Sequence, residues 1–507
     1  MVCEWAFSCN QELIAKKPYH SIMRFRCPLL PIRSLLALLL LAIPAVLAQG
    51  LPDLGDPAQA TFTPAQERML GRSIMREARR DPAYYEDAEV TDYVARVGNR
   101  LVARGSDTRQ EFEFFMMRDP QINAFALPGG FIGVHTGLVM AAQSESEMAG
   151  VLAHEIAHVT QRHIARMINN QQSTQWMEIA ALAIAILAAR SNSQMAEAAA
   201  TVGSALAVQQ QLNFSRDFER EADRIGLQLL ERAGFDPQGM TLFFERLQRA
   251  TRVYEGGAPS YLRTHPVTFE RIADMQNRAQ ELRYRQVPDH IDFHLVRAKL
   301  KAEFDAPREA VAYFRDALVE NRYLSEGGAR YGLVAALLRA RDVAGAWKEF
   351  FPLRALVKGN SIVDGLGCRI RLAGGAPEAF NCFRDAVQAY PGSRALAYEY
   401  AEALLQARQP DVALKMVDGQ LAGYPDDHRL YLLQARANAQ LNRRLAQHRS
   451  QGEAYARMGG TGAAIEQLQL GLKAGDGDYY QMSATEARLR QLRVLDAEER
   501  KDSGRKK

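Results

Sequence analysis

The sequence is poor in cysteine, tryptophan and excess charge. It has five cysteines and three tryptophans in 507 residues, and 63 basic against 59 acidic residues give a formal net charge of +4. Residues 1–48 hold five basic and two acidic residues, which is +3 of this charge, so the rest of the chain is nearly neutral. A nearly neutral chain lacks the basic surface that nucleic acid requires, so no nucleic-acid partner is expected. So few cysteines also exclude a disulfide-rich scaffold.

Long apolar runs are scarce as well. The run over 35–47 is too short for a membrane-spanning helix, which needs about 20 residues. It follows a basic segment and precedes small residues, with a cleavage point after Ala48, which is the pattern of a secretory signal. We therefore predict that residues 1–48 are an N-terminal extension and a signal peptide, that Met23 is the true start, and that the mature chain is exported. An uncleaved membrane anchor is the alternative.

Helical and strand-like patterns alternate over 49–285. A helix is predicted to begin after Thr63, which opens a capping-box pattern. A strand is predicted from Glu111. The Gly-rich stretch 123–138 has two strand-like pieces around a Pro-Gly-Gly turn, which predicts a β-hairpin. The next helix is predicted to begin near Ser144.

The segment 176–189 is almost wholly apolar, and 194–212 would form its return helix. At 14 residues the first piece is too short to cross a bilayer. One interpretation is a buried core helix. The other is a flap beside the functional site, or a surface that contacts membrane or unfolded substrate. The second interpretation would give the protein a peripheral membrane contact.

From about residue 290 onward, strand patterns stop and a helical phrase recurs. Each copy opens on an alanine, and the steps between copies are 36, 33, 34 and 51 residues. A period near 34 is that of the tetratricopeptide repeat, a helix pair that stacks into a solenoid, and the last step leaves room for one extra helix. A generic helical bundle is the alternative. We predict repeats over 286–497 and a disordered tail over 498–507. The alanines are Ala310, Ala346, Ala379, Ala413 and Ala464, and the first three are followed four residues later by Phe314, Phe350 and Phe383.

Three of the five cysteines fall in the segment predicted to be removed, which leaves Cys368 and Cys382. These two lie on either side of a turn signal around Gly375. Antiparallel helices joined at that turn would place the thiols opposite each other. An exported protein meets an oxidising compartment. A disulfide and two buried free thiols are both consistent with this placement.

The most specific motif is HEIAH, over 154–158, within an apolar helical pattern. Residues four apart on an α-helix project from nearly the same face, so His154 and His158 can direct two ring nitrogens at one Zn²⁺. Glu155 stands beside them and can take a proton from a metal-activated water. Two packed histidines without a metal are the alternative. His163 is half a turn away from His154, and we predict that it is a surface histidine and not a ligand.

A catalytic zinc also needs a third protein ligand and an open position for water. A second amphipathic stretch, 213–237, carries Glu219 and Asp223 four residues apart on one face. Glu219 can bind the metal, and Asp223 can orient a ligand histidine by accepting its second N–H, or serve proton transfer. Spacing alone does not choose between Glu219 and Glu221. A carboxylate-rich amphipathic helix without a metal is the alternative.

The HEIAH motif is followed, 61 residues after its second histidine, by the phrase E-x-E-A-D-x-x-G over 219–226. This combination resembles peptidase family M48, which includes the CAAX prenyl proteases. The resemblance implies a zinc metalloprotease with Glu219 as the third zinc ligand and Asp223 as a catalytic-site aspartate. It also implies that the stretch 123–138 precedes the zinc helix, and that its second strand is the edge strand that pairs with an extended substrate.

A signal peptide before these motifs and repeats after them extend the resemblance. In family members with this layout a loop histidine, here His265, can occupy the open position of the zinc and hold the enzyme latent. A plain loop histidine is the alternative. The resemblance further implies one Zn²⁺ per subunit and a location in the periplasm, close to the outer membrane. Unfolded or misassembled outer-membrane β-barrel proteins would be the substrates, and the barrel-assembly machinery would be a partner through the repeats.

We therefore predict a mostly α fold. An α+β zinc metalloprotease domain over 49–285, with a small β-hairpin or sheet and an HExxH helix, precedes an α-solenoid. The predicted function is a periplasmic metalloendopeptidase with a chaperone-like role. Two other functions remain open: a repeat-based chaperone or scaffold with a mostly latent zinc site, and a zinc hydrolase that acts on cell-wall peptide. Glu155→Gln tests the chaperone or scaffold alternative, because it should abolish cleavage and leave any assembly function. Digestion of unfolded protein with and without a chelator tests the cell-wall hydrolase alternative.

Overall fold

In the computed structural model, the residues described are 62–105, 110–170, 216–251, 260–282 and 286–504. The predicted signal segment 1–48 and the apolar stretch 176–212 lie outside these residues. The part before residue 283 combines helices with a small sheet. Its helices are α1 (Pro64–Ala78), α2 (Ala88–Val102), α3 (Thr136–Ala141), α4 (Glu145–Thr160), α5 (His163–Asn170), α6 (Arg216–Ala233), α7 (Gln238–Thr251), α8 (Ser260–Thr264) and α9 (Phe269–Glu281). Its strands are β1 (Tyr84–Tyr85), β2 (Glu113–Met117), β3 (Ala124–Leu127) and β4 (Phe131–His135).

Local capping signals set the starts of two helices, as predicted. The Thr63 side chain accepts a hydrogen bond from the backbone N–H of Gln66, whose own side chain accepts one from the backbone N–H of Thr63. Ser144 caps α4 in the same way, because its hydroxyl accepts from the N–H of Glu147. Each cap satisfies a backbone donor that the first helical turn leaves without a partner.

The four strands form one sheet in the order β1-β2-β4-β3. β3 and β4 pair antiparallel, which confirms the predicted hairpin, and β2 pairs parallel with β4. A Cβ atom at Gly130 in the hairpin turn would collide with the carbonyl oxygen of Glu111, and the φ angle there is 87°, so the turn requires glycine. The prediction that the second piece of the hairpin is the edge strand is wrong. β4 is central, and β3 is the edge strand of the described sheet.

The reason for this error is the position of β2. All five residues of β4 are buried, which is typical of a strand covered on both faces and paired on both sides. The pattern within 123–138 does not show that β2, from further back in the chain, pairs with β4. β1 was not predicted either, because two residues carry no periodic signal.

Twelve helices follow over 286–504, the region that the sequence predicts to be a repeat solenoid. They are α10 (Ile291–Phe304), α11 (Pro307–Val319), α12 (Glu326–Arg339), α13 (Val343–Leu356), α14 (Ser361–Ala373), α15 (Ala379–Ala389), α16 (Arg394–Gln406), α17 (Pro410–Gly423), α18 (His428–Gln440), α19 (Arg444–Arg457), α20 (Thr461–Lys473) and α21 (Tyr479–Gly504). α18 and α19 both lie between the last two copies of the repeated phrase, where earlier steps have one helix. This arrangement agrees with the prediction of one extra helix.

The repeated residues of the phrase form the core of the solenoid. All five alanines are fully buried, and each of the three phenylalanines is at most 4% exposed. A Cβ atom at Gly332 would collide with the ring of Phe314, and one at Gly367 would collide with the ring of Phe350. Each of these two rings therefore packs against a glycine in the following helix, whereas the ring of Phe383 stacks on Tyr400 of the following helix.

Two further predictions concern this region. Cys368 in α14 and Cys382 in α15 are joined by a disulfide in the structure, with their Cα atoms 5.5 Å apart. The second prediction is a disordered tail over 498–507. In the structure α21 instead continues to Gly504. This tail is rich in charged residues, several of which are good helix formers, and they extend the helix. Residues 505–507 lie outside the described part.

The repeats and the preceding part share a hydrophobic core. One cluster of buried residues runs from Tyr85 in β1 to Ile370 in α14, and α10 packs on both α2 and α3. The predicted domain boundary at 285/286 therefore does not separate two independent cores. Among the described residues, no helix is both long enough and apolar enough to cross a bilayer.

Charged residues reinforce this junction. Glu89 in α2 contacts Lys299 Nζ in α10 at 2.6 Å and Arg369 Nη1 in α14 at 3.0 Å. Arg369 also contacts Glu399 in α16 at 2.6 Å. The Glu89 side chain is only 4% exposed, so this is a buried network of ion pairs that links α2 to three helices of the solenoid.

Candidate metal centre

α4 places the two histidines of HEIAH on one face. It is buried from Glu145 to His158, and it packs against α6, α7 and β3. The rings of His154 and His158 are fully buried one turn apart, with their Nε2 atoms 3.0 Å from each other. The helix thus directs two ring nitrogens at one point inside the protein, as the spacing predicts.

α6 brings the carboxylate of Glu219 to the two histidines of α4. Glu219 is 1% exposed; its Oε2 lies 3.5 Å from His154 Nε2 and its Oε1 lies 3.4 Å from His158 Nε2. A Cβ atom at Gly226 would lie only 3.3 Å from the backbone nitrogen of His154. The glycine therefore allows α6 to approach α4 closely enough for Glu219 to reach both histidines.

His265 supplies a fourth group, from the connection between α8 and α9. Its Nδ1 lies 3.0 Å from Glu219 Oε1 and 3.3 Å from His154 Nε2, and the side chain is 2% exposed. Tyr261 holds this histidine from two sides: its ring stacks on that of His265 at 4.7 Å, and its carbonyl accepts a hydrogen bond from the His265 N–H. The loop histidine is therefore a buried part of the site.

These four donor groups fit a tetrahedral metal ion. A ligand atom from each of His154, His158, Glu219 and His265 lies within 4.8 Å of the other three. Ligands at about 2.0–2.1 Å from a tetrahedral zinc are about 3.3 Å from each other. The separations of 3.0–3.5 Å given above are of this order; Glu219 faces His154 with Oε2 and faces both His158 and His265 with Oε1. Two imidazoles and a carboxylate are also ligands that zinc accepts.

Arg271, in α9, is a site residue that the sequence analysis missed. Its Nε and Nη2 donate to the two carboxylate oxygens of Asp223 at 2.7 and 2.8 Å, and its Nη1 lies 2.8 Å from Glu219 Oε2. Asp223 Oδ1 lies in turn 3.1 Å from His154 Nδ1. Asp223 therefore contacts the ring nitrogen of His154 that faces away from the ligand cluster, and Arg271 holds both carboxylates. No spacing rule links an arginine on a later helix to this site.

The pKa values of the two histidines move apart because their neighbours differ. Burial alone would lower the pKa of His154, but Asp223 and Glu219 outweigh it and raise the pKa to about 9. For His158, burial dominates and lowers the pKa to about 3. His158 is therefore neutral at pH 7 and has a lone pair available for a metal, whereas in the metal-free protein His154 carries a proton that a metal would have to displace.

Glu155 lies at the same point but is not one of the four clustered groups. Both of its oxygens are buried, and Oε1 lies 3.6 Å from His265 Nε2. The backbone of Ala126, in the edge strand β3, lies beside its carboxylate. Burial raises the pKa of Glu155, so this carboxyl binds a proton more readily than an exposed glutamate.

The structure separates Glu221 from Glu219 and corrects the prediction for His163. His163 is not at the surface: it is fully buried, and its Nδ1 lies 2.9 Å from His158 Nδ1. Burial lowers its pKa to about 3. Glu221 points away from the ligand cluster and pairs with His163 and Arg166. α4 ends before Arg162, whose φ angle is 52°, and His163 then packs on the ring of Phe218 in α6, which helps to bury it.

Sequence comparisons identify the class of enzyme to which this site belongs. The profile of peptidase family M48 matches residues 88–279, which include every site residue above, and a tetratricopeptide-repeat profile matches 372–437. A relative in Escherichia coli is 33% identical over 450 residues, which is 88% of this chain and 92% of that protein. The chain therefore belongs to peptidase family M48, and the protein is a metallopeptidase with tetratricopeptide repeats, as predicted.

The relatives have specific names. The Escherichia coli protein is a beta-barrel assembly-enhancing protease. A putative beta-barrel assembly-enhancing protease of Vibrio cholerae is 42% identical over 279 residues, which is 54% of this chain and 57% of that protein. The mitochondrial metalloendopeptidase OMA1 of Schizosaccharomyces pombe is 34% identical over 205 residues, which is 40% of this chain and 57% of that protein.

Proposed function

We propose that the protein is a zinc metalloendopeptidase of the bacterial periplasm that degrades misassembled outer-membrane β-barrel proteins or assists their assembly. The convergence of His154, His158 and Glu219, whose two ring nitrogens are 3.0 Å apart and each lie within 3.5 Å of a Glu219 oxygen, carries the zinc assignment. Two histidines and a glutamate are a ligand set of catalytic zinc. The substrate class and the compartment rest on the similarity to the beta-barrel assembly-enhancing protease of Escherichia coli.

The chemistry follows from the residues around the ligand cluster. A bound zinc ion supplies Lewis acidity, which polarises a peptide carbonyl and lowers the pKa of water to about 7. Glu155 takes the proton of the attacking water on a carboxylate oxygen and delivers it to the leaving amine. Burial raises the pKa of Glu155, which favours the protonated form that the second step requires. Asp223 orients His154, and Arg271 orients Asp223 and Glu219.

The edge strand β3 is our candidate for substrate contact. Among the described residues β3 pairs only with β4, so one side of its backbone has no strand partner there. An extended peptide that adds to this edge would pass beside Glu155, because Ala126 of β3 already lies there. The repeats would hold a substrate or the barrel-assembly machinery and raise the local concentration of substrate near the site.

Metal analysis and protein digestion test the proposal. The purified mature chain is expected to contain about one zinc per subunit and to cleave casein, and a chelator should abolish the cleavage. Glu155→Gln should also abolish cleavage while leaving the zinc bound, because Glu155 is not in the ligand cluster. Asp217→Asn is the matched control, since this side chain on α6 is 90% exposed. A chain without zinc, or cleavage by Glu155→Gln at the wild-type rate, contradicts the proposal.

The position of His265 favours a second, compatible function, that of a chaperone with a mostly latent protease site. In this conformation His265 is the fourth group of the cluster, so a zinc ion held by all four groups would have no position left for water or substrate. His265→Ala is therefore expected to raise basal casein cleavage. Unchanged or lower cleavage by this variant, with zinc still bound, would show that His265 does not restrain the enzyme.

A further inference from the structure

A chain of side chains leads from the metal centre through three helices. His158 on α4 contacts His163 on α5, with 2.9 Å between their Nδ1 atoms. His163 Nε2 lies 3.2 Å from Glu221 Oε2 on α6, and the same oxygen accepts a hydrogen bond from Arg166 Nη1 at 2.9 Å. Both ring nitrogens of His163 thus have partners, although the residue is outside the ligand cluster.

The position of each proton in this chain follows from the metal site. His158 Nε2 faces the cluster, so it must present a lone pair to a metal, and the proton of the neutral ring is then on Nδ1. This Nδ1–H can donate to His163 Nδ1 only if that atom has no proton. His163 must therefore carry its proton on Nε2, from which it donates to the Glu221 carboxylate. Each step has one donor and one acceptor.

The packing around His163 holds its ring in the orientation that the hydrogen bonds to His158 and Glu221 require. The ring stacks on Phe218 of α6, with the centroids 4.6 Å apart and the planes 10° from parallel. The guanidinium of Arg166 lies 4.6 Å from the centre of the same phenylalanine ring. Because the ring is fully buried and stacked, its Nδ1 stays directed at His158 and its Nε2 at Glu221.

We propose that His163 is a positioning residue for the metal centre. It accepts the Nδ1–H of His158 and so fixes the tautomer that presents Nε2 to the metal, and Glu221 with Arg166 fixes the matching tautomer of His163. His154 is oriented by a carboxylate, Asp223, so the two histidine ligands have different outer partners. This inference rests on the proposed zinc site and adds a determinant of zinc affinity that HExxH does not contain.

Two variants separate hydrogen bonding from packing. His163→Phe keeps an aromatic ring to stack on Phe218 but has no acceptor. His163→Asn loses the ring but places its Oδ1 close to the former Nδ1, where it can accept the same proton. Zinc dissociation constants are measured by competition with a chelator, together with kcat and KM for casein, and circular dichroism checks folding. His163→Phe should weaken zinc binding by about 10- to 100-fold, and His163→Asn should stay within about threefold of the wild type.

The zinc affinities of the wild type and the two variants distinguish failure of the proposed zinc site from failure of the role of His163. If the wild type binds no zinc, the proposed function fails, whereas if wild type and His163→Phe bind zinc equally, only the role of His163 fails. Equal weakening in both variants also overturns it, because shape and not the acceptor would then matter. Should His163→Phe not fold, ¹⁵N spectra of the zinc-loaded wild type with labelled histidine decide. They should show His158 protonated at Nδ1 and His163 protonated at Nε2; a proton on His163 Nδ1 would overturn the proposal.

Discussion

The ion network between α2 and the repeats allows a stability prediction with a worked magnitude. Burial alone would raise the pKa of Glu89, but Arg369 and Lys299 outweigh it and lower the pKa from 4.5 to about 2. Each pKa unit corresponds to 1.36 kcal/mol, so the ionised form of Glu89 contributes about 3 kcal/mol to folding. Because the pKa is lowered on folding, this contribution is complete above about pH 4.5 and is lost as the pH falls towards 2.

Glu89→Gln is the perturbation, because it removes the charge and keeps the size of the side chain. At pH 7 the variant should be about 3 kcal/mol less stable than the wild type. The difference should shrink steadily below pH 4.5, where Glu89 of the wild type also takes up a proton. Both effects are measured by urea unfolding at several pH values, followed by circular dichroism and by tryptophan fluorescence, to which Trp347 in α13 of the solenoid contributes.

An exposed ion pair provides the control. Glu77→Gln removes a charge whose partner, Arg80, is 65% exposed, so the unfolding free energy should change by less than about 0.5 kcal/mol. If Glu89→Gln has the same stability as the wild type at pH 7, the buried network does not hold the repeats in place. A difference that stays constant down to pH 2 would show that Glu89 acts through packing and not through charge.

Three further substitutions test other parts of the structure. Arg271→Met leaves Asp223 and Glu219 with protonated His154 as the cation beside them, so one buried negative charge is uncompensated. The metal-free protein should therefore lose about 3–5 kcal/mol of stability, measured by urea unfolding, and added zinc should restore part of it. Replacing both Cys368 and Cys382 with serine removes a crosslink between residues 14 apart and should lower stability by about 3 kcal/mol in non-reducing thermal unfolding. Gly226→Leu should push α6 away from His154 and lower zinc affinity measured by chelator competition, whereas Gly419→Ala, where a Cβ atom meets nothing within 4 Å, should not.

Features that depend on short-range patterns could be predicted from the sequence. The starts of α1 and α4 follow from Thr63 and Ser144, because capping involves residues three positions apart. The two histidines of α4 converge because four residues are about one helical turn. The repeat solenoid follows from a period near 34, since an alanine recurs in each copy and a phenylalanine follows it four residues later in the first three.

Features that depend on distant segments could not be predicted. Whether β4 is central or at the edge depends on its pairing with β2, and nothing within the hairpin encodes that pairing. His163 is buried because the helix is interrupted at Arg162 and the ring then packs on Phe218, 55 residues further along the chain. Arg271 reaches the site from α9, and only the fold brings it to Asp223. In each case the deciding contact joins residues more than 15 positions apart or follows a change of chain direction.

The junction between the repeats and the metal centre has a consequence for how substrates are cut. A flexible linker would let a bound substrate reach the site at many positions, because the effective concentration changes slowly with distance. Here a continuous core and the Glu89 network fix the solenoid to α2. Cleavage of an unfolded β-barrel protein should therefore fall within a narrow range of distances from the segment that the repeats bind, as mapped by mass spectrometry of the products after crosslinking. Glu89→Gln should broaden this range, and an equally broad range in the wild type would mean that the repeats act only as a tether.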